Sequence, residues 1–277
     1  MEAPLGLIAG EGDLPRLIAE DRARRGQGTL VVRFEGTRAD WAENHDVIDL
    51  PFEKPGRLFR AMERKGCRRV CFAGAMVRPH LDPLRFDLKA LKIAPRVLSL
   101  LKSGDDAMLR GFAGIFEAEG YEVVAPHDQL RGLLAPEGAM TRRRPTESEE
   151  ADAARAAGIA AALGAVDVGQ GAVVEGGLCL GVEAVAGTDA LLAQVADLPE
   201  RYRTAARGVL WKGPKPGQDW RLDLPAVGPE TIRRAKAARL GGVCLAAGGV
   251  LVLGLEETIR AADEAGLALW ARPAAAP

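Results

Sequence analysis

The chain contains 277 residues, of which 48% are hydrophobic and 27% are charged, and its formal net charge at pH 7 is −1. This composition is typical of a globular protein with enough residues for two ordinary domains. A net charge so close to zero gives no overall positive field, and we therefore expect no nucleic-acid partner. The four cysteines show no CxxC spacing and the three histidines are scattered, so we expect free thiols and no zinc site.

The two stretches that could target the chain to a membrane are both weak. The first residues, MEAPLGLIAG, have neither the basic start nor the long apolar core of a signal peptide. The longest apolar stretch, residues 241–255, is interrupted by glycines and is too short to span a bilayer. We expect a cytoplasmic protein that contacts the inner membrane peripherally at most.

The first half of the chain alternates short apolar runs with segments of helical periodicity. Strands that alternate with helices pair in parallel, with helices on both faces of the sheet. We therefore predict a Rossmann-like parallel-sheet domain over residues 1–132, whose ligands would bind at the carboxyl ends of the strands. The strands are predicted at residues 5–10, 29–36, 68–76 and 121–126, and the helices at residues 13–26, 58–66, 86–102 and 105–119.

The second half of the chain is predicted to form another domain. Residues 133–150 contain proline and glycine and lack apolar periodicity, which is typical of a linker. An Ala-rich helix follows at residues 149–164, and two short strands meet at the Gly176-Gly177 turn. The predicted fold class is therefore α/β, with a second, C-terminal α/β domain over residues 151–277.

The turn GEGDLP after the first strand contains Gly10 and Gly12, and a helix follows that Asp13 is expected to cap. Backbone N–H groups at such a helix start could bind a phosphate. However, Pro15 stands where the dinucleotide-binding fingerprint has its third glycine. An ordinary strand-to-helix turn explains the motif equally well. An NAD(P)-dependent oxidoreductase, with Glu35 at the ribose, remains an alternative.

The stretch KGPKPGQDWRLDLP at residues 212–225 directly follows an apolar strand at residues 207–211. Its prolines fix φ, and its glycines allow the backbone to approach another group closely. Lys212 and Lys215 could neutralise phosphate oxygens. A solvated loop would not need so many backbone restraints, so we interpret the stretch as a rigid loop that positions reacting groups.

Carboxylates in the same loop indicate a divalent cation. If residues 220–224 are extended, Asp219, Arg221 and Asp223 lie on one face of the segment. Mg²⁺ is commonly bound through one or two carboxylates, together with waters and phosphate oxygens. The sequence of this loop therefore predicts a site that binds a divalent metal ion together with a phosphate.

Two predicted helix starts carry further acids. Asp105 follows a glycine in SGDDAMLRGF, and Asp189 follows Thr188 in EAVAGTDALL, where Thr188 is expected to cap the helix. Acids also occur at helix N-termini for purely structural reasons, because they satisfy free N–H groups and the helix dipole. Both interpretations stay open at this point.

A family resemblance is carried by five stretches: GVLWKGPKPGQDWRLDLPAVGPETI, EAVAGTDALL, SGDDAMLRGF, GLIAGEGDLP and RRRPTESEEAD. Together they resemble the bacterial UDP-2,3-diacylglucosamine pyrophosphatases of the metal-dependent two-domain type. The resemblance covers nearly the whole chain, and its most specific part is KGPKPGQD. It implies hydrolysis of UDP-2,3-diacylglucosamine to UMP and 2,3-diacylglucosamine 1-phosphate in lipid A biosynthesis. It also implies Mg²⁺ or Mn²⁺ as cofactor and attack of water on the α-phosphorus.

The same resemblance implies a homodimer, a catalytic C-terminal domain and a set of site residues. Ala186 stands where the family often has an acid, which leaves the number of metal ions open. The implied catalytic residues are Lys212, Lys215, Gln218, Asp219 and Asp223, and the implied metal ligands are Asp223 and Asp189. The implied substrate-binding residues are Gly10, Gly12, Asp13, Leu14, Asp105, Thr188, Gly213 and Gly217.

The acyl chains of such a substrate would need apolar surroundings. Residues 86–104, FDLKALKIAPRVLSLLKSG, mix leucines with lysines at helical spacing. Such a stripe is usually the core-facing side of a helix, but it would also suit an acyl-chain wall or a membrane-surface contact. A nucleotide-sugar or lipid carrier without catalytic activity is a further alternative for the whole chain, since acids and lysines also serve binding alone.

Overall fold

The computed structural model describes residues 2–76, 81–101, 105–130, 132–204 and 207–273. The chain divides into two compact units. The first consists of Met1–Arg131 and Asp219–Asp223, and the second of Gly132–Gln218 and Leu224–Pro277. Residues 133–150, which the sequence predicts as a linker, are part of the second unit, because they contribute a strand and the start of a helix to it. The predicted α/β fold class is confirmed.

Five strands form the sheet of the first unit: β1 (Leu5–Ala9), β2 (Thr29–Phe34), β3 (Asp46–Leu50), β4 (Arg69–Ala73) and β5 (Glu122–Val123). They lie in the order β3-β2-β1-β4-β5, and every neighbouring pair is parallel. This is the order of a Rossmann-like sheet, whose switch point lies between β1 and β4. The helices of the unit are α1 (Leu14–Arg24), α2 (Pro55–Arg64), α3 (Leu88–Leu100), α4 (Asp105–Ala118) and α5 (Pro126–Gln129).

Each face of this sheet has its own apolar core. Successive strand residues point to opposite faces, so Leu7 packs in the core cluster that contains Ile18 of α1, whereas Ile8 packs in the cluster that contains Phe59 of α2. The four strands predicted from apolar runs are confirmed. β3 was not predicted, because its sequence DVIDL carries two acids and the strand lies at the edge of the sheet with most of its residues partly or fully exposed.

The second unit contains a six-stranded sheet in the order β6-β13-β11-β9-β7-β8. β9, β11 and β13 are parallel, β6 is antiparallel to β13, and β7 is antiparallel to both β8 and β9. The strands are β6 (Gly138–Ala139), β7 (Gly171–Glu175), β8 (Leu178–Val182), β9 (Val209–Lys212), β11 (Gly242–Ala246) and β13 (Ala268–Arg272). A separate two-stranded sheet pairs β10 (Ala226–Val227) with β12 (Leu251–Val252), and the helices are α6 (Glu147–Gly164), α7 (Gly187–Ala196), α8 (Pro229–Ala237) and α9 (Leu255–Ala265).

The β7–β8 hairpin turns at Gly176 and Gly177, as predicted. Both glycines have positive φ, +55° and +80°, which fits a tight hairpin turn. The buried Asp152 carboxylate of α6 accepts the N–H groups of both glycines over 2.8 Å. This contact fixes the hairpin turn on the helix.

The free cysteines agree with the expectation from composition. All four cysteines are free, and burial raises the pKa of the Cys71 and Cys244 thiols, so both stay protonated at neutral pH. Within the described ranges, no helix combines the length and the apolar character needed to cross a bilayer.

Candidate active site

The carboxyl edge of the six-stranded sheet brings together three polar residues of the second unit. Lys212 is the last residue of β9, Glu183 directly follows β8, and Thr188 lies in the first turn of α7. Because β8 and β9 run in the same direction on either side of β7, their ends meet at Gly171, the first residue of β7. Gly171 is the register partner of Lys212, and its carbonyl accepts the N–H of Glu183 over 2.8 Å.

The side chains of these residues form a hydrogen-bonded group, here named the Lys212 cluster: Lys212, Thr188 and Glu183. The Lys212 ammonium donates to the Thr188 hydroxyl, which donates to Oε2 of Glu183 over 2.8 Å. Nζ of Lys212 lies 3.9 Å from the same carboxylate oxygen. Lys212 and Glu183 are each 6% exposed and Thr188 is 8% exposed. Breaking a charge pair this deeply buried costs several kcal/mol, so the cluster holds a positive charge in a fixed place.

Thr188 does not cap α7, and the prediction that it does is wrong. The N-cap position of α7 is Ala186, which offers no side-chain acceptor, and Thr188 lies two residues further on. The Thr188 hydroxyl is engaged by Lys212 and Glu183 instead, because buried ionised groups need hydrogen-bond partners more than an accessible helix end does.

Sequence reasoning missed two residues at this edge. Glu183 follows an ordinary hairpin strand, and nothing in the sequence shows that the hairpin register carries it to Lys212. Gln170 directly precedes β7; its carbonyl accepts the N–H of Gly213 over 3.1 Å. The buried Oε1 of Gln170 has no hydrogen-bond partner among the described residues. The only available signal was their position beside strand ends, where α/β proteins place functional groups.

The loop after β9 turns tightly between Lys215 and Gln218. The Gln218 N–H donates to the Lys215 carbonyl over 3.2 Å, and Gly217 has a φ of +73°. Proline followed by a glycine of positive φ, as in Pro216-Gly217, is the pattern of a type II turn. The buried Gln218 side chain closes the same turn, since its Oε1 accepts the Lys215 N–H over 2.9 Å. Gln218, which is predicted to be catalytic, therefore stabilises the loop through two hydrogen bonds with the Lys215 backbone.

Close packing accounts for the other restraints in this loop. A Cβ on Gly213 would lie 3.1 Å from the Cβ of Ala246, so the backbone passes tightly over the end of β11. Nζ of Lys215 pairs with Asp167 at 2.6 Å, and both side chains are partly exposed. Lys212 at the end of β9 and Lys215 in the loop thus have different surroundings: Lys212 is buried beside a hydroxyl, and Lys215 pairs with a carboxylate nearer the surface.

Residues 219–223 form a turn that belongs to the first unit. The N–H groups of Leu222 and Asp223 donate to the Asp219 carbonyl over 3.0 and 3.3 Å. The extended segment that would place Asp219, Arg221 and Asp223 on one face is therefore not formed. The turn is favoured because the Asp219 carboxylate accepts the Arg221 N–H over 3.0 Å and because Leu222 is buried in the core.

Arg221 ties this turn to α4. Its guanidinium pairs with the Asp219 carboxylate at 2.7 Å and with Glu117 at 3.0 Å. The hydrogen bonds from Arg221 hold the pKa of Asp219 below its usual value, although partial burial opposes this shift. The structure thus places Asp219 in an ion pair that stabilises the turn.

The two predicted metal ligands, Asp189 and Asp223, lie on different elements. Asp189 lies in the first turn of α7, its side chain is 57% exposed, and it pairs with Arg234 at 3.4 Å. Asp223 is partly exposed at the end of the 219–223 turn. In the described part of the chain, no three His, Cys, Asp or Glu residues lie close enough together to hold a metal ion. Single carboxylates still fit Mg²⁺, because water and phosphate oxygens usually complete its coordination.

The glycine turn after β1 is joined to the segment after β4. Glu11 and Ala75 form an antiparallel bridge with hydrogen bonds of 2.8 and 2.9 Å. A Cβ on Gly10 would lie 2.5 Å from the Ala75 carbonyl oxygen, so Gly10 permits the close approach of two loops at the switch point. Gly12 has a φ of +95° and open space around it. Of the two glycines, only Gly10 is held by close packing.

The substitution Gly10→Ala should destabilise the protein more than Gly12→Ala. The methyl group at residue 10 would meet backbone atoms at 2.5–2.7 Å, which cannot move without disrupting the Glu11–Ala75 bridge. We expect a loss of about 3 kcal/mol in the free energy of unfolding for Gly10→Ala, and of about 1 kcal/mol for Gly12→Ala, whose cost is backbone conformation alone. Urea denaturation measures both, and equal losses would refute the packing role of Gly10.

The remaining predicted residues of the first unit have separate positions. Asp13 occupies the N-cap position of α1 but makes no cap hydrogen bond; it is largely exposed and pairs with Arg16 at 3.0 Å, and Leu14 begins the helix. Asp105 begins α4 as predicted, while its side chain lies outside the described residues. Glu35, which the oxidoreductase alternative places at a ribose, pairs with Arg85 at 2.8 Å.

An apolar cavity lies within the first unit, on the side of the sheet that α2, α3 and α4 cover. Its volume is about 90 Å³. Residues 86–104 therefore include a core-facing helix face, as their periodicity favours, and the inner face of α3 forms one wall of the cavity. Among the lining side chains are Phe59, Phe72, Ala90, Ile93, Ala94 and Phe112.

Comparison with known proteins establishes the family. The model of the LpxI N-terminal domain matches residues 4–133, and the model of the LpxI C-terminal domain matches residues 136–270. The chain belongs to the LpxI family. A relative from this family, UDP-2,3-diacylglucosamine pyrophosphatase LpxI of Caulobacter vibrioides, is 41% identical over 266 residues, which are 95% of this chain and 95% of that protein. The resemblance to UDP-2,3-diacylglucosamine pyrophosphatases is confirmed.

The boundary between the two LpxI domain models lies between residues 133 and 136. It is close to residue 131, where the N-terminal part of the first unit ends and the second unit begins. A solved structure, CobK precorrin-6A reductase, aligns with 100% of this chain and 90% of its own chain at 14% identity, with a TM-score of 0.33. A likeness at this level bears on neither fold nor function.

Proposed function

We propose that this LpxI family member hydrolyses the diphosphate of UDP-2,3-diacylglucosamine, giving UMP and 2,3-diacylglucosamine 1-phosphate for lipid A biosynthesis. The observation that carries the proposal is the 41% identity to the Caulobacter pyrophosphatase over 95% of both chains. The Lys212 cluster and the apolar cavity support it. A diphosphate needs fixed positive charge, and an acyl chain needs apolar surroundings.

In this proposal the Lys212 ammonium neutralises the diphosphate. Phosphoryl transfer is catalysed mainly by positioning and by neutralising the charge on the phosphate oxygens. Thr188 and Glu183 orient the ammonium, because Nζ of Lys212 donates to the Thr188 hydroxyl and lies 3.9 Å from the Glu183 carboxylate. Lys215, paired with Asp167, adds a second positive charge closer to solvent.

We place the divalent metal at Asp223, with Asp189 as the second candidate ligand. A bound Mg²⁺ would neutralise phosphate oxygens and supply a water of lowered pKa. One carboxylate with waters and substrate oxygens is an ordinary Mg²⁺ environment, and Mn²⁺ accepts the same oxygen ligands. The protein's part is to present the Asp223 carboxylate at the end of a turn that the Asp219–Arg221 pair stabilises.

The apolar cavity of the first unit is proposed to take the end of an acyl chain. Its volume of about 90 Å³ and its apolar lining suit the terminal carbons of a chain. Its wall from α3 consists of small and branched residues, Ala90, Ile93, Ala94 and Val97, which leave the space open.

Filling this cavity should shorten the acyl chains that the protein accepts. In Ala94→Phe, the phenyl group would occupy space that Ala94 leaves open. We expect kcat/KM for a long-chain substrate to fall about tenfold or more, since each methylene excluded from an apolar pocket costs about 1–3 kcal/mol. Steady-state kinetics with long-chain and short-chain UDP-2,3-diacylglucosamine measure this, and the short-chain rate is the control for folding. An equal loss on both substrates would remove the cavity from acyl-chain binding.

The proposed reaction is tested by hydrolysis in ¹⁸O-water with and without EDTA. Attack of water on the α-phosphorus places the label in UMP, and EDTA should abolish turnover. Label in the sugar phosphate would move the attack to the β-phosphorus, and absence of UMP release would reject the hydrolase. Substrate binding without release would favour a carrier, and an absorbance change with NAD(P)H would favour an oxidoreductase.

We further propose a cytoplasmic homodimer that contacts the inner membrane peripherally. The family resemblance supports the dimer, and a lipid-linked substrate supports contact with a membrane. Sedimentation equilibrium tests the assembly, and cell fractionation tests the location.

A further inference from the structure

The outer face of α3 carries an apolar surface that the core does not use. Leu84, in the turn before the helix, is 95% exposed. Leu88, Leu91 and Leu98 are exposed by 81%, 57% and 50%, and their spacing places them with Pro95 on one side of the helix. A contiguous apolar patch on a protein surface marks an interaction site more often than single exposed leucines do. This set, Leu88, Leu91, Pro95 and Leu98, is named the α3 outer surface.

Positive charges accompany the α3 outer surface. α3 contains three cations and no acid. Lys92 and Arg96 lie along one edge of the apolar stripe, and neither is ion-paired with any residue in the described ranges. Lys89 pairs with Glu119. Asp87, the acid at the N-cap of α3, accepts two backbone N–H groups with its carboxylate. The free cations therefore complement an anionic partner.

We infer that the α3 outer surface docks on an anionic lipid bilayer. Leucines on one helix face with lysine and arginine beside them bind at the headgroup level, where the cations meet lipid phosphates and the leucines enter the acyl region. Each cation near an anionic leaflet strengthens binding about fivefold. The inference rests on the proposed function, because it connects a lipid-linked substrate with the cavity that the inner face of the same helix lines.

Vesicle flotation in the absence of substrate tests this inference. The probe is a vesicle of phosphatidylglycerol and phosphatidylcholine in equal amounts, compared with phosphatidylcholine alone. Wild-type protein should float with the anionic vesicles. Leu88→Asp/Leu91→Asp should lower the bound fraction at least about tenfold, because two leucines can no longer be buried in the acyl region. Lys92→Glu/Arg96→Glu should weaken binding to anionic vesicles and remove its dependence on salt.

Leu178→Asp is the matched control, since Leu178 is 55% exposed on β8 in the second unit. It should bind vesicles as the wild type does. Failure of the wild type to float, or an equal loss in the Leu178 variant, would overturn the inference. So would a leucine variant that changes the sedimentation coefficient and leaves flotation unchanged, because a second copy of the chain would then cover the surface.

A short-chain, water-soluble substrate separates this inference from the proposed function. Hydrolysis of that substrate by a protein that does not float rejects the membrane surface alone. Flotation without hydrolysis rejects the proposed function and leaves the docking surface in place. Cooperative unfolding of each variant, followed by circular dichroism, shows that a loss of binding is not a loss of fold.

Discussion

Lys212→Met is expected to lower kcat/KM for UDP-2,3-diacylglucosamine by about 10²–10³-fold, the usual effect of removing one group that stabilises charge in the transition state. The variant should also lose about 3 kcal/mol in the free energy of unfolding, because it leaves the Glu183 carboxylate buried without its cation. Steady-state kinetics and urea denaturation measure the two effects on the same preparation.

The double variant Lys212→Met/Glu183→Gln separates stability from catalysis. A neutral amide at residue 183 no longer needs the cation, so most of the lost stability should return. Activity should stay low, since the positive charge is still missing. Recovery of both stability and activity would show that the Lys212 cluster is only structural, and the diphosphate would then have to bind elsewhere.

Asp223→Asn is expected to lower kcat by about 10³-fold, as loss of several kcal/mol of metal-dependent charge stabilisation implies. Its free energy of unfolding should change by less than about 1 kcal/mol. Asp223 is partly exposed, and its backbone N–H still donates to the Asp219 carbonyl in the variant. Turnover measured over a range of Mg²⁺ concentrations checks the role. Near-normal rates at saturating Mg²⁺ would remove Asp223 from the mechanism.

Asp219→Asn is the companion variant for the same turn. It breaks the pair with Arg221 and should lower stability by about 1 kcal/mol, with a loss of activity below about tenfold. The pKa of Asp219 is lowered in the folded protein, so its contribution to stability is present above the unfolded pKa and is lost as the pH falls through the folded pKa. The difference from the wild type should therefore vanish in acid, and a pH-independent difference would contradict the ion-pair role.

The sequence predicts much of the fold because local patterns decide it. The apolar runs that became β1, β2 and β4 are long, uninterrupted and buried, and the glycines and prolines at their ends mark the turns. β3 was not predicted because it lies at the sheet edge, where exposed acids are tolerated and the strand therefore lacks a continuous apolar run. Residues 133–150 resemble a linker in composition, yet tertiary contacts give them the strand β6 and the start of α6.

The candidate site was only partly predictable, because it depends on register. The lysines of the loop after β9 were identified from their own neighbours in sequence. Glu183 joins Lys212 through the pairing of β8 and β9 with β7, and a one-residue shift of either strand would carry its side chain to the other face. The role of Thr188 was mispredicted for the same reason. Its local sequence favours a helix N-cap, but its hydroxyl is hydrogen-bonded to Lys212 and Glu183, which are distant in sequence or on another element.

The packing of residues 219–223 with the first unit has a consequence for dissecting this protein. A polypeptide cut at residue 131 would lack Leu222, which fills part of the apolar core beside α2 and α4, and would lack Arg221, the partner of Glu117. Such a fragment should expose apolar area and associate with itself, and the remainder would carry a short segment without its native surroundings. The two halves that the family boundary suggests are therefore poor candidates for separate expression. The undivided polypeptide keeps both the buried Leu222 and the Arg221–Glu117 ion pair.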